Sequence, residues 1–435
     1  PNTNLTLNQA TSQLPKDRNN FGPRVGFALD LTGNGKSSLR GGYGIYYGRI
    51  INSTIYNALL NTGSLDGQIQ VSVPATNMVS APIFPSVIPQ PSSPSALPLG
   101  TQTIQFFSPS FENPTIHQGD IIFEREILRD TTISASYLIS IGRKLPTFLD
   151  RNLNAPTATQ TYSITGGPFD GQTVTVPAFR GVRPNTGFGS MTEIASIVPS
   201  QYHAMVLQLN RRFSRGVQFS ANYTLSKAED YNQTSTTFTA NNTPFNVFDF
   251  GQEKGRSNFD RRHKFIASMV YAPRVKFNSK VATAMLDSWS IAPIFQYYTG
   301  IPYDAVVTGS LPNFAPATSA TSATFPSFNG SGGSNVLPLA GRNGFTGPNV
   351  WNADLRLSRR FNIKEKVSLE ILGEAFNLFN RTQVTTIGTT LYQTGGTPVA
   401  GTLTVPANST FGTISEAGGT LYRERQIQFG ARIRF

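Results

Sequence analysis

The final residues of the chain read RQIQFGARIRF (Arg425–Phe435), and apolar and polar side chains alternate along this stretch. The apolar positions are Ile427, Phe429, Ala431, Ile433 and Phe435, and the positions between them include Gln426, Gln428, Arg432 and Arg434. Successive side chains of a β-strand point to opposite faces of the sheet. The period of two therefore predicts a strand whose two faces meet different surroundings.

The same alternation recurs along the whole chain and predicts about eleven strands. Most of them run to roughly ten residues or more, whereas strands of globular sheets usually have five or six. The predicted ranges are 23–32, 37–48, 116–127, 131–142, 201–213, 216–227, 262–272, 287–300, 350–361, 366–379 and 424–435.

The links between these strands are alternately short and long. The long ones are rich in Ser, Thr, Asn, Gly and Pro, and they cover 49–115, 143–200, 228–261, 301–349 and 380–423. In an antiparallel meander successive links lie at opposite ends, so all short links share one rim and all long links the other. Short turns at one rim and long loops at the other are typical of bacterial outer-membrane barrels. We therefore predict an all-β fold, an antiparallel transmembrane β-barrel wall.

Strand parity predicts that the chain is one part of a larger barrel. If the short turns are periplasmic, strands 23–32 and 424–435 both run towards the periplasm, and residues 1–22 are the remnant of an outer loop. Because a secreted chain begins in the periplasm, an odd number of strands is expected before Pro1. We predict a single partial domain over 1–435, with a periplasmic C-terminus and extracellular long loops.

Composition argues against several other classes. Charged residues make up 14% of the chain, the net charge is +12 and there is no cysteine. Soluble proteins carry about 25% charged residues, and no stretch approaches the roughly 18 apolar residues of a membrane helix. The missing cysteines exclude disulfides, thiolate metal sites and a cysteine nucleophile. Lys and Arg form no basic stripe, so no nucleic-acid partner is expected.

Short motifs are distributed in order over nearly the whole chain. They are NNFGPRVGF (19–27), LRGGYGIYY (39–47), YHA (202–204), LNRRFSRG (209–216), YTLSK (223–227), FDRRHKF (259–265), EAFNLFN (374–380) and the closing strand 425–435. Together they resemble the C-terminal barrel region of TonB-dependent outer-membrane receptors, specifically the Oar-like branch that has a carboxypeptidase-regulatory-like domain.

The resemblance implies a barrel of about 22 strands, of which this chain is the second half. It also implies a plug, an N-terminal barrel half and the TonB energising complex as partners that this sequence does not contain. The expected function is import of a bound solute such as an oligosaccharide, a peptide or a metal chelate. A passive porin, a surface adhesin and a soluble glycan-binding protein remain alternatives. No enzymatic activity, catalytic residue or cofactor is expected.

Charged residues on the polar strand faces are predicted to line the barrel lumen as a ladder between strands. They are Glu124, Glu126, Arg356, Arg360, Glu370, Glu374, Arg432 and Arg434. Paired carboxylates also occur in glycosidases, but opposite charges on neighbouring strands favour the ladder. His117, His203 and His263 are far apart and no acidic residue lies at ligand spacing, so no metal site is predicted. We interpret His203, at a strand start, and His263, at a loop end, as rim residues.

Aromatic residues near strand ends are predicted to form interfacial girdles, because amphipathic rings favour the lipid headgroup level. They are Tyr46, Tyr47, Trp289, Tyr297, Tyr298, Trp351, Phe376 and Phe379. By resemblance, Phe435 is a recognition signal for the outer-membrane assembly machinery. The basic pairs Arg143–Lys144, Arg261–Arg262 and Arg359–Arg360 are candidate contacts to lipid or lipopolysaccharide phosphates. Loops 49–115, 143–200 and 301–349 are candidate contacts for the transported solute.

Overall fold

The computed structural model of the protein describes residues 11, 14–62, 67, 83, 85–86, 103–231, 244–276, 278–311, 327–363, 367–395, 401–417 and 423–435. Most of predicted loop 49–115, and smaller parts of loops 228–261, 301–349 and 380–423, lie outside the described residues.

A large antiparallel sheet, the main sheet, runs from one end of the described chain to the other. Eleven strands follow one another along its path, and each pairs with the next. They are β1 (Arg24–Asp30), β2 (Ser37–Tyr47), β3 (Thr115–Leu128), β4 (Thr131–Asp150), β5 (Met191–Ser214), β6 (Val217–Asp230), β7 (His263–Tyr271), β8 (Trp289–Tyr298), β9 (Val350–Asn362), β10 (Ser368–Phe376) and β11 (Gln426–Arg434).

The prediction of an all-β, antiparallel fold is confirmed, and each predicted range overlaps one strand of this path. Two strands are longer than predicted: β4 continues to Asp150 and β5 already begins at Met191. Leu145–Asp150 pair with Thr192–Val198 in this extension. Residues 147–150 are all buried, so both faces of the strand are covered. The alternation that reveals a one-sided strand is lost there.

Tight turns join the strands at one end of the main sheet. In the β1–β2 turn the Asp30 carboxylate accepts hydrogen bonds from the backbone N–H groups of Thr32, Gly33 and Gly35. Gly33 and Gly35 have φ of 69° and 72°, a region that favours glycine because it has no Cβ. The local sequence thus encodes the reversal that sets the register of β1 and β2.

The long loops build a second, smaller body. Its five-stranded sheet consists of Val306–Thr308, Thr390–Thr394, Thr402–Thr404, Ala158–Thr165 and Thr173–Ala178, in this spatial order. Three different loops supply these strands, and a buried cluster of apolar side chains packs on the sheet. We call this sheet and its cluster the loop cap. The long loops therefore carry regular structure and a core of their own.

The remaining elements are short. Ile104–Phe107 pairs with β5 and Gly255–Arg256 with β6, while Pro302–Tyr303 pairs with Phe345–Thr346 and Val384–Ile387 with Ile414–Ala417. The helices are α1 (Asn52–Leu60) and α2 (Lys280–Leu286), with 3₁₀ turns at Gly167–Phe169 and Gly251–Glu253. Within the described ranges, no helix is long and apolar enough to cross a membrane.

Burial differs sharply between the two bodies. Most of the fully buried apolar side chains lie in the loops, and Tyr162, Phe328, Tyr392 and Leu403 have no exposed area. Along the main sheet, large apolar side chains remain exposed, and every residue of β1 is exposed. Neither β1 nor β11 has a second pairing partner among the described strands. The main sheet is thus an open sheet with two free edges.

Candidate functional site: two sheet faces and the loop cap

The register of the main sheet separates the side chains into an apolar and a polar face. Positions directly opposite one another share a face, as in the row Leu39, Phe123, Ala135, Leu207 and Tyr223. The neighbouring row on the other face contains Ser38, Glu124, Ser134, Gln208 and Asn222. The predicted alternation therefore extends across strands, and each face is chemically uniform over much of the sheet.

The polar face carries ion pairs between strands. Arg356 Nη2 lies 3.5 Å from Glu370 Oε1, and its Nη1 lies 3.6 Å from Glu374 Oε1. Glu374 also accepts a hydrogen bond from the Gln428 amide on β11. At the other end of the sheet, Arg40 Nη2 is 3.4 Å from Glu124 Oε2. The contacts of Arg356, Glu374 and Gln428 thus link β9, β10 and β11, whereas the Arg40–Glu124 pair links β2 and β3.

The other predicted lumen residues are near these pairs without joining them. Glu370 lies opposite Arg360 on β9 and Arg432 on β11. Arg434 lies opposite Ser368, and Glu126 lies opposite Thr132. Among the described residues, none of these four side chains makes an ion pair. The structure thus brings Arg356, Glu370 and Glu374 together, pairs Glu124 with Arg40, and leaves Glu126, Arg360, Arg432 and Arg434 on the same face without an ion pair among the described residues.

The predicted girdle residues are divided between the two faces. Tyr47, Trp289, Tyr297 and Trp351 lie on the apolar face. Tyr46, Tyr298 and Phe376 alternate with apolar positions and so lie on the polar face. Phe379 follows β10 and packs on Trp351 with ring centroids 5.7 Å apart.

Three tyrosine–histidine pairs lie on the apolar face, and they use every histidine of the sequence. The Tyr43 hydroxyl lies 2.6 Å from His117 Nδ1. The same distance is 2.8 Å for Tyr137 with His203 and 2.8 Å for Tyr223 with His263. In each pair the two residues lie diagonally across adjacent strands that a long loop connects. Nε2 has no protein partner within the described ranges.

The three pairs follow one another with a constant stagger. The row of His117 crosses β5 at Gln201, which is two positions away from His203. On β6, His203 lies opposite Lys227 and His263 lies opposite Leu225, which is again a shift of two positions in the same direction across the sheet. Two residues span about 7 Å along a strand, and two strand spacings about 10 Å across the sheet. The corresponding tilt is about 35°, the strand tilt of a barrel. In a barrel with that tilt the pairs share one height.

The next position in the staggered series holds an aromatic pair. Phe295 and Trp351 occupy the equivalent diagonal between β8 and β9, with ring centroids 6.2 Å apart.

Sequence reasoning identified only Trp351 from this pair. It placed His203 at the start of a strand, which was wrong, because β5 begins at Met191. The missed signal is a Tyr on one strand and a His on the next, which becomes visible only once the register is known.

The segment 327–331 connects the loops of the cap. The Tyr162 hydroxyl donates a hydrogen bond to the Phe328 carbonyl oxygen at 2.5 Å. Asn329 Nδ2 donates to the Phe245 carbonyl oxygen at 2.8 Å, and Phe179 N–H donates to the Asn329 carbonyl oxygen at 2.8 Å. Segments from three different loops therefore meet at 327–331, around a ring cluster of Tyr162, Phe245 and Phe328.

Buried ion pairs fasten the cap to the ends of the strands. Asp150 ends β4 and lies 3.0 Å from Arg183 Nη1, and both side chains are almost fully buried. Asp230 ends β6 and lies 2.5 Å from Arg342 Nη1. Burial lowers the pKa of Arg183, which the Asp150 charge opposes. Breaking such a pair leaves an uncompensated buried charge, so these contacts hold the loops in a defined position.

No cluster of three or more His, Asp or Glu side chains suited to a metal ion occurs in the described part of the chain.

Comparison with known proteins finds a similar fold among solved structures of outer-membrane proteins. No curated protein matches the chain. Among solved structures, the outer membrane transporter YddB from Escherichia coli aligns with a TM-score of 0.50 and 11% identity, over 95% of this chain and 40% of that one. The ferric-catecholate import receptor Fiu from E. coli K12 gives 0.42 and 10%, over 94% and 34%. The ferric enterobactin receptor PfeA from Pseudomonas aeruginosa gives 0.45 and 8%, over 95% and 40%.

At these identities the similarity concerns the fold alone, and the chain spans less than half the length of each of these proteins. A family described as outer membrane beta barrel domain matches residues 2–428, which is nearly the whole chain. The match agrees with the long antiparallel strands, the two-faced sheet and an outer-membrane location. The chain therefore belongs to the outer membrane beta barrel domain family.

Proposed function

We propose that this chain forms part of the wall of a TonB-dependent transporter, a barrel of about 22 strands that imports a solute across the outer membrane. The apolar face contacts lipid, the polar face lines the lumen, the long loops are extracellular and the short turns are periplasmic. The observation that carries the proposal is an eleven-strand antiparallel sheet with one apolar face, one polar face and two free edges.

The direction of the edge strands supports a wall completed by other strands. All neighbouring pairs along the path are antiparallel, so β1 and β11, at odd positions, run in the same direction. Closing the sheet on itself would place them parallel. Pairing β11 of one copy with β1 of another, which keeps all long loops at one rim, would create the same parallel contacts. An antiparallel barrel therefore needs an odd number of additional strands, which the N-terminal barrel half supplies.

The aromatic rows support the membrane orientation. On β8, Trp289 and Tyr297 lie on the apolar face at opposite ends of the strand. They are eight positions apart, which corresponds to about 27 Å along the strand. At a strand tilt of about 35°, this is a difference of about 22 Å in height along the barrel axis. An apolar band of about 25 Å flanked by aromatic girdles is expected of outer-membrane barrels. The apolar-face residues Tyr47, Trp289, Tyr297 and Trp351 belong to these girdles, together with the Tyr–His pairs.

The remaining assignments follow the same orientation. Glu124, Glu126, Arg356, Arg360, Glu370, Glu374, Arg432 and Arg434 line the lumen, where they meet the plug. Phe435 follows β11 and is 98% exposed, which leaves it accessible to the assembly machinery. The TonB complex acts through the plug. The Oar-like assignment is a prediction from the sequence motifs.

Because the chain has no cysteine, single cysteines can test the two faces without background labelling. Leu207 and Gln208 are adjacent on β5 and lie on opposite faces. With the full-length protein in the outer membrane, a membrane-impermeant maleimide should label Gln208→Cys and leave Leu207→Cys unlabelled until detergent is added. Equal labelling of both positions before detergent would exclude a lipid-facing apolar face.

The rims are tested on intact cells. Val182 is exposed in the loop between β4 and β5, and Arg129 is exposed in the β3–β4 turn. Val182→Cys should react from outside, and Arg129→Cys only after the outer membrane is permeabilised. The reverse pattern would invert the proposed topology.

A surface-binding barrel without energised transport is the second candidate, and the folded loop cap favours it. The two functions differ in their need for TonB. Solute accumulation that stops when TonB is deleted supports the transporter, whereas solute or surface binding unaffected by that deletion, with no uptake, supports the adhesin.

A further inference from the structure

A cavity of about 330 Å³ lies where the upper parts of β4, β5 and β6 meet. Residues of all three strands line it, and Lys254 joins them from the loop after β6. Arg143 and Gln201 belong to the apolar side of the sheet. Arg143 lies two positions beyond Ile141 on β4, and Gln201 lies directly opposite Ile141 on β5. The cavity therefore lies beside the apolar face, at the long-loop end.

An irregularity in β4 brings two cationic residues into this cavity. The register shifts between Gly142 and Leu145, and Lys144 has a left-handed φ of 54°. A β-bulge of this kind redirects side chains that would otherwise alternate. As a result, the consecutive residues Arg143 and Lys144 both line the cavity.

Two of the cations around the cavity form no ion pair among the described residues. Glu229 is paired with Lys227, Asp230 with Arg342, and Lys144 with Glu112. Arg143 donates only to the carbonyl oxygen of Gly142, at 3.1 Å. Within the described ranges, neither Arg143 nor Lys254 has a carboxylate within salt-bridge distance. The cavity thus has two cations that form no ion pair, and the Glu229 carboxylate on its lining interacts with Lys254 only at longer range.

Below the cavity, the same face first carries a histidine and a lysine, at the level of the Tyr–His pairs, and then apolar side chains. Gln201 and Glu229 of the cavity each lie two positions beyond His203 and Lys227, which face one another across β5 and β6. Further down the same face come Met205 and Leu225, both exposed. A ligand spanning this region would meet cations at one end and apolar side chains at the other.

We propose that this cavity binds the phosphate group of an anionic membrane lipid whose acyl chains lie against the apolar face below it. Arg143 and Lys254 supply the counter-charge, with Arg143 able to bind two phosphate oxygens through its planar guanidinium. This inference rests on the proposed lipid-facing orientation of the apolar face. The apolar surface that continues below the cavity is the reason for a lipid phosphate as occupant.

The test uses the full chain, purified in a neutral detergent and titrated with three probes. Phosphatidic acid has both the phosphate and the acyl chains, diacylglycerol with the same chains lacks the phosphate, and inorganic phosphate lacks the chains. Native mass spectrometry should detect saturable binding of phosphatidic acid, with diacylglycerol and inorganic phosphate at least about tenfold weaker, because each lacks one interaction of about 1.4 kcal/mol or more.

The decisive variant combines Arg143→Gln with Lys254→Gln and should weaken phosphatidic acid binding at least about tenfold, since it removes both charge-assisted contacts. The matched control combines Arg129→Gln with Arg215→Gln, two exposed cations in turns at the opposite rim, and should bind like the wild type. Arg143→Lys with Lys254→Arg keeps both charges and should retain most of the binding.

Several outcomes would overturn the proposal. Unchanged affinity in the Arg143→Gln/Lys254→Gln variant, or an equal loss in the control, would leave only nonspecific charge attraction. Inorganic phosphate binding as tightly as phosphatidic acid would make this a site for a free anion. Insertion of the full-length protein into phosphatidylcholine vesicles is measured in parallel: insertion without preference for phosphatidic acid contradicts the lipid site alone, and failure to insert contradicts the proposed membrane wall as well.

Discussion

The main sheet and the loop cap use apolar residues in opposite ways. In the cap, Phe328 is fully buried among Tyr162 and Phe245. In the main sheet, Phe429 is 84% exposed although it lies in a regular strand. The cap buries its apolar side chains within the protein, as any water-soluble core does. The main sheet presents them outward on one face, which is favourable only beside lipid or another apolar surface.

The contrast also concerns how backbone groups are satisfied. Along the main sheet, strand pairing accounts for the hydrogen bonds, as a membrane requires because lipid offers no partners. In the loops, side chains also satisfy backbone groups: the Asn329 and Asn343 amides each donate a hydrogen bond to a backbone carbonyl oxygen of a distant segment. The main sheet and the cap thus satisfy their backbone hydrogen-bonding groups in different ways.

The largest expected effect is on the cap core. Phe328→Ala should destabilise the cap by about 3–5 kcal/mol, because it removes a fully buried ring. Limited proteolysis of the folded protein in increasing urea measures the loss through earlier cleavage of the loops. Phe429→Ala is the matched control and should leave cap cleavage unchanged. Equal sensitivity of both variants would contradict an independent core in the cap.

The next effect distinguishes the faces of the main sheet. Leu207→Arg should lower the stability of the membrane-inserted protein by about 2–4 kcal/mol, the cost of a cation on the lipid face near the bilayer midplane. Gln208→Arg, one residue further on the opposite face, should cost much less. Denaturant titration of folding into vesicles measures both. A larger loss for Gln208→Arg would reverse our assignment of the faces.

A smaller effect is expected from the polar-face ion pairs. Arg356 is 38% exposed, and its pairs with Glu370 and Glu374 are longer than 3.4 Å. Such pairs contribute about 1 kcal/mol or less. A double-mutant cycle with Arg356→Gln and Glu374→Gln should therefore give a coupling energy in that range. The same cycle with Arg434→Gln in place of Arg356→Gln should give none, because Arg434 forms no ion pair among the described residues.

The smallest effect is a pH dependence of the cap. Burial raises the pKa of the Asp304 carboxyl, while the Asn343 backbone N–H and Arg342 oppose the shift. A folded-state pKa above the unfolded value means that the contribution of Asp304 to cap stability is greatest below about pH 4 and falls as the pH rises through the raised pKa. Asp304→Asn should flatten this slope in proteolysis measured across pH.

Asp287, in the link between β7 and β8, provides a control of opposite sign. The Val275 backbone N–H and the Ser288 hydroxyl lower the pKa of Asp287, so its contribution is present above its ordinary pKa and lost as the pH falls. Asp287→Asn should lower stability above the ordinary pKa of the carboxyl, where the charged form contributes, have little effect at acidic pH, and leave the Asp304 slope intact. A slope unaffected by Asp304→Asn would assign it to other groups.

The main sheet was predictable because its signal is local. The alternation of Val217, Phe219 and Ala221 with polar residues follows directly from strand geometry, and the Gly33–Gly35 turn has its own sequence pattern. The contact of Arg356 with Glu370 and Glu374 was likewise expected from two adjacent strands joined by a short link. Each of these inferences needed only residues close together in the chain.

The Tyr–His pairs and the cap core were not predictable in the same way. Tyr43 and His117 are 74 positions apart and meet only after a long loop has closed. Tyr162, Phe328 and Leu403 are isolated apolar residues in polar loops, and no period marks them as a core. The bulge that brings Arg143 and Lys144 to one cavity also depends on pairing with β5.

The amino-acid order alone therefore specified strands, turns and the chemistry of the two faces, because strand geometry converts a period of two into sidedness without any distant contact. Register, stagger and the assembly of the cap were decided by the tertiary structure. They depend on which distant segments pair, and the stability of each pairing comes from contacts that no single segment contains. The outer-membrane fold follows from the first set of properties, and the proposed lipid-phosphate cavity from the second.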